Sequence, residues 1–98
     1  MAIQHLVWLK QKEHTSDTEI DILLSEIRDL NRLDGVLSIT TGTNFTNRAN
    51  GYTHGVVVSL KDRPALESYL SSSEHQELGG TIRNLCELMA LDYDDTVS

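Results

Sequence analysis

Residues 3–10 read Ile-Gln-His-Leu-Val-Trp-Leu-Lys, rich in strand formers and too short for a stable helix. Ile3, His5, Val7 and Leu9 fall on one side of that strand, Leu6 and Trp8 on the other. Both sides are largely apolar, so both are expected to be covered. Beyond residue 16 the period changes. Ile20, Leu23, Leu24, Ile27 and Leu30 recur at helical spacing behind an S-x-x-E capping box of Ser16 and Glu19, while Glu19, Asp21, Glu26, Arg28 and Asp29 supply the solvated face. Gly35, after Asp34, predicts the helix stop. Alternation returns over Val36–Phe45, Asn50-Gly51 reverses the chain, and Tyr52–Leu60 forms a second strand centred on Val56-Val57-Val58; together they predict an antiparallel hairpin.

Asp62-Arg63-Pro64-Ala65 starts another helix, with Pro tolerated in the first turn and Leu66, Tyr69 and Leu70 as its apolar side. Ser71-Ser72-Ser73 interrupts it. Ser73 and Gln76 form a second capping box that restarts a helix near Glu74, with Ile82, Leu85 and Cys86 as its buried stripe. Gly79-Gly80 is expected to mark a close backbone contact. Leu88–Tyr93 is the last strand, and the acidic residues Asp94-Asp95 are expected to fray.

The resulting order, βαββαβ, is the ferredoxin-like arrangement of the α+β class, in one domain over residues 1–98 with a core of about residues 3–94. Its two helices cover one sheet face. The other face would carry Ile3, Val7 and Leu9, or their alternates, and an exposed apolar sheet face needs a cover. A chain of 98 residues buries only a modest core by itself. Pairing two copies sheet to sheet supplies the cover and predicts a homodimer with a barrel-like chamber between the copies.

Fifteen acidic against 8 basic side chains give a net charge of −7, which argues against nucleic acid and anionic membranes as partners. No apolar run approaches the roughly 20 residues of a membrane helix, and Met1-Ala2-Ile3-Gln4-His5 does not open like a signal peptide. Cys86 is the single cysteine, which excludes an intrachain disulfide and favours the cytoplasm. The sequon at Asn44-Phe45-Thr46 carries no meaning in that compartment. No His and carboxylate set shows metal-ligand spacing, so no metal and no cofactor is expected. His14 reads as a solvated loop residue and Cys86 as a packed one.

His5-Leu6-Val7 on the first strand, Gly51-Tyr52-Thr53-His54-Gly55 opening the third, Tyr69-Leu70-Ser71-Ser72-Ser73-Glu74-His75 after it, and the closing Asp92-Tyr93 resemble the stress-responsive A/B barrel, or Dabb, family over residues 3–94. The resemblance implies a dimeric α+β barrel. Members include plant stress-associated proteins and a plant polyketide cyclase, in which a Tyr and a His matching Tyr69 and His75 assist an aldol-type ring closure and histidines matching His5 and His54 line the cavity. Val7, Leu9, Leu23, Leu24, Ile27 and Val56 would complete the ligand-binding wall. The cyclase carries aromatic residues where this chain has Leu23, Leu24 and Ile27, and a His-Pro pair where this chain is serine-rich. Membership alone does not imply catalysis.

At a helix start, His75 would feel a dipole that disfavours imidazolium, opposed by Glu74 and Glu77, and a neutral ring serves as a general base. Tyr69 could donate to an oxygen gaining charge as an enolate forms. Both residues also read as structural: a space-filling imidazole and an amphipathic aromatic beneath its helix. The expected function is therefore that of a homodimer with an apolar cavity that acts in stress response or binds a small apolar or polyketide-like molecule. The alternative is a cyclase-like or ring-modifying enzyme acting on a keto-rich or aromatic substrate.

Overall fold

The computed structural model describes residues 2–96. Strands β1 (Ile3–Gln11), β2 (Val36–Thr43), β3 (His54–Leu60) and β4 (Cys86–Asp94) form one antiparallel sheet in the order β2-β3-β1-β4. Helices α1 (Asp17–Asp29), α2 (Arg63–Ser71) and α3 (Ser73–Leu85) complete the ferredoxin-like fold. The chain enters α1 through the full capping box: the Ser16 hydroxyl accepts from the Glu19 N–H at 3.1 Å, and the Glu19 carboxylate accepts from the Ser16 N–H at 2.9 Å.

Several expectations shift. Helix α1 stops at Asp29 and passes through a 3-10 turn, Leu30–Arg32, before Gly35. Gly35 makes the reversal into β2 at φ 83°, and a Cβ there would stand 2.7 Å from that of Ala65, so both backbone and packing exclude a side chain. The hairpin strands are shorter than their alternating patterns because the connection takes residues 44–53 for itself, with Asn50 and Gly51 at positive φ. Gly79 and Gly80 mark no close backbone contact: a Cβ at Gly79 meets only the Arg83 guanidinium, and one at Gly80 meets nothing within 4 Å. The acidic end is not frayed at Asp94 and Asp95. Asp94 lies in β4, and the Asp95 carboxylate accepts from the Ala2 N–H at 2.8 Å and from Gln4 Nε2 at 3.1 Å.

The alternation of β1 resolves in one direction. Ile3, His5, Val7 and Leu9 lie under the helices, in or against a core built from Ile20, Leu23, Leu24 and Ile27 of α1 and Val56, Val58 and Leu60 of β3. Leu6 and Trp8, the alternates, face away from the helices with Val57 and with Met89 and Leu91 of β4. Trp8 remains 47 % and Leu91 61 % exposed. His5, Val7 and Leu9 therefore belong to the space between sheet and helices within one chain, not to a chamber between two sheets.

Candidate functional site

A serine positions the two most reactive side chains. Helix α2 ends at Ser71 and α3 starts at Ser73, with Ser72 extended between them (ψ 147°). The Ser72 hydroxyl donates to the Tyr69 carbonyl at 2.8 Å and accepts from the His75 N–H at 3.1 Å. The cap is therefore Ser72 and not Ser73, one residue earlier than the S-x-x-Q pattern indicated. Gln76 instead reaches back with Nε2 to the Leu70 carbonyl at 2.9 Å. In a continuous helix residues six apart face different ways. The Ser72 break folds α3 back so that the Tyr69 and His75 rings stand 4.8 Å apart between centroids.

His5 approaches from the sheet. Its ring lies 5.9 Å from that of Tyr69 and 6.5 Å from that of His75. The strand register places Asp92 of β4 directly across from His5, and His5 Nδ1 donates to the Asp92 carboxylate. A carboxylate on Nδ1 fixes the tautomer and leaves Nε2 of a neutral ring as an acceptor. Val7, Val56 and Val58 from the sheet, Ile27 of α1, Leu30 of the 3-10 turn, and Leu78 and Ile82 of α3 close an aliphatic wall around the three rings. The space they leave measures about 20 Å³, room for one water. A polyketide-like molecule does not fit this volume without separation of α1 from α3.

The electrostatics follow from burial. Tyr69 is 4 % exposed, burial pushes its phenol up to about 12, and none of the hydrogen bonds among the described residues uses its hydroxyl. It is a protonated donor at neutral pH. His75 is lowered from its ordinary value by burial first and by the nearby His5 and Arg83, against the pull of the Leu70 carbonyl, so its ring is neutral near pH 7.

The other residues singled out from the sequence divide. Val7, Ile27 and Val56 line the space with Tyr69, His75 and His5, whereas Leu9, Leu23 and Leu24 are sealed in the core, at 0 %, 1 % and 6 % exposure, and do not reach it. His54 shares the face of His5 but pairs with Leu9, four residues farther along the strand, about 13 Å away at strand spacing. Its ring meets Thr53 Oγ1 at 2.8 Å, and burial lowers it against the carboxylates of Asp21 and Asp17. Asp92 enters the sequence only through the family likeness and not as a site residue, although an aspartate inside Leu88–Tyr93 breaks an otherwise apolar strand. Among the described residues no three His, Cys, Asp or Glu side chains gather as a metal-holding group, and no helix is long and apolar enough to cross a membrane.

Comparison with known proteins places these features in context. The family model described as Stress responsive A/B Barrel Domain matches residues 3–95. Olivetolic acid cyclase of Cannabis sativa is 27 % identical over 97 residues, covering 95 % of this chain and 96 % of the cyclase. Among solved structures, hydroxynitrile lyase from Passiflora edulis superposes with a TM-score of 0.87 at 20 % identity, over 94 % of this chain and 91 % of the lyase. A dimeric ferredoxin-like protein from Jannaschia superposes at 0.84 with 22 % identity, over 96 % and 99 % of the two chains.

Proposed function

The chain belongs to the stress-responsive A/B barrel (Dabb) family, and we propose that it works as a homodimer whose helix-covered site binds a small neutral molecule through a carbonyl or hydroxyl oxygen. What carries this reading is the meeting of Tyr69 and His75 at 4.8 Å, backed by an Asp92-held His5, at the polar end of an aliphatic wall. A few convergent polar groups on an apolar lining are the usual make-up of a ligand site. The volume of about 20 Å³ favours a compact ligand over a polyketide-sized one. Entry then requires α1 and α3 to part where Ile27 and Leu30 meet Leu78 and Ile82. The dimer is supported by the uncovered apolar sheet face and by the dimeric Jannaschia neighbour.

A second reading, acid–base catalysis on the same ligand, is favoured by the neutral His75 ring beside a protonated Tyr69. His75 would take a proton from the carbon next to a carbonyl; the C–H electron pair becomes the enolate, and Tyr69 donates to the oxygen that gains charge. Two relatives carrying enzyme names, a cyclase and a lyase, give this reading weight.

A panel of small ketones titrated into labelled protein separates the two. Binding is expected to shift the amide signals around Tyr69, His75 and His5, with affinity reduced in Tyr69→Phe; a panel that leaves those signals still removes the binding reading. Exchange of the ketone α-hydrogens in heavy water, lost in His75→Ala, is expected from catalysis. Binding without exchange above that variant's background retains the first reading and eliminates the second.

A further inference from the structure

The seam through which a ligand would reach His75 carries a charge pattern of its own. A groove of about 390 Å³ runs along the outside of that seam. Its charged lining is Glu26 and Asp29 of α1, Arg32 of the 3-10 turn, and Glu74 and Glu77 of α3. Its apolar lining is Leu30 and Leu78, and the same two leucines belong to the wall around Tyr69, His75 and His5. The groove is therefore an outer vestibule, and entry by parting α1 from α3 passes through it. Helical spacing accounts for the arrangement. Residues three apart share a helix face, so Glu26 with Asp29, and Glu74 with Glu77, form two acidic stripes that border the inward-facing residues of α1 and α3.

The fold does not use these charges to hold the two helices together. Arg32 Nη1 donates to the Asp29 carbonyl at 3.1 Å, and the Glu74 carboxylate accepts from the neighbouring Ser73 hydroxyl at 3.1 Å. Among the described residues no ion pair within 4.0 Å joins Arg32 to any of the four carboxylates. Four carboxylates against one guanidinium leave the vestibule negative, in a chain that is already at −7. A cleft lined by one sign of charge between low-dielectric walls focuses its field on whatever enters. An acidic groove alone would be a solvated surface. The group behind it ties it to a ligand: Tyr69 is buried in the space beyond Leu30 and Leu78, and its hydroxyl has no hydrogen-bond partner among the described residues.

We propose that this vestibule is the charge filter of the His75 site: Glu26, Asp29, Glu74 and Glu77 admit uncharged oxygen compounds and turn away carboxylates and phosphates. The inference rests on the ligand-binding reading and adds the residues that set its specificity. An acid and its uncharged derivative are told apart at the mouth, before either meets Tyr69 or His75.

Levulinate and its methyl ester test the filter, because they share one ketone and differ in charge. Titrated at low salt into the labelled full chain, the ester should shift the amide signals around Tyr69, His75 and His5, and levulinate should bind about tenfold more weakly. Glu26→Gln with Glu77→Gln removes two charges at exposed positions and should recover most of that gap with the ester's affinity unmoved. Glu13→Gln with Glu67→Gln removes as much charge outside the groove and should recover little of it. Raising salt on the wild type should narrow the gap as well, and stands in if the mouth variant fails to fold. An ester that moves none of those signals removes the binding reading and the filter together. An ester that binds keeps the binding reading, and the filter is overturned if levulinate binds as tightly, if salt and the mouth variant leave the gap unmoved, or if the distant pair closes it equally.

Discussion

At the scale of single residues, the behaviour of His75 with pH has a definite sign. Burial, then His5 and Arg83, lower its ring below the ordinary value of 6.5 in the folded chain. Between the folded value and 6.5 the unfolded chain holds more protons, so stability rises with pH through that window. The contribution is present in full above the unfolded value and is lost as pH falls through the folded one. Urea midpoints measured on either side of the window should therefore drop toward acid, and His75→Gln should flatten the drop. His54 is lowered in the same direction, so part of the slope should survive in that variant. A slope that His75→Gln leaves unchanged would mean the ring is solvated in both states. Cys86, buried and raised by that burial, contributes no charge in this range.

At the scale of elements, the Ser72 break decides whether a site exists. One hydroxyl closes the end of α2 and opens α3, so Ser72→Ala removes both bonds and should cost about 1 kcal/mol in chemical unfolding, the usual worth of an N-cap. Ser73→Ala touches only the exposed Glu74 carboxylate at 3.1 Å and should fall within about 0.5 kcal/mol of wild type. Equal costs would return the cap to Ser73. The contrast also marks how far the sequence could be read. Helical and alternating periods placed each strand and helix, because an element's apolar stripe is local information, but not its ends: Cys86, read into the stripe of α3, opens β4 instead. A choice between adjacent serines was not local: it depends on which backbone N–H meets a hydroxyl once α3 has docked. The same holds for the two sides of β1, both apolar, where only the packing of α1 decided that His5 lies under the helices and Trp8 outside. Tyr69, His75 and His5 were legible through family likeness, whereas the Asp92 that holds His5 depended on a strand register spanning 87 residues of sequence. His54 was grouped with His5 correctly by face but not by distance, since alternation fixes a side and says nothing about position along the strand.

At the scale of the whole molecule, charge and apolar surface pull against each other. Each chain carries −7, so two chains repel at long range, while the middle of the helix-free sheet face, Thr40, Gly42, Gly55, Val57, Leu6, Trp8, Met89 and Leu91, holds no charged side chain at all. At the ends of that face stand Lys10 and its strand neighbour Glu87, of opposite sign, with the Lys10 ammonium 4.9 Å from the centre of the Tyr52 ring, and Asp95, whose carboxylate accepts from Gln4 Nε2 at 3.1 Å. Attraction across such an interface comes from apolar burial, which moderate salt does not weaken, and opposition comes from net charge, which salt screens as the Debye length falls from about 10 Å at 0.1 M toward about 3 Å at 1 M. The dimer dissociation constant should therefore fall as salt is raised at fixed pH, and the unfolding midpoint should climb with protein concentration, since only the folded chain pairs. Sedimentation equilibrium across a salt series reads the first effect directly. Dissociation promoted by salt would instead identify ion pairs as the bond between copies, which the apolar centre of this sheet face does not hold, and would move the contact to its charged margin or to the helices.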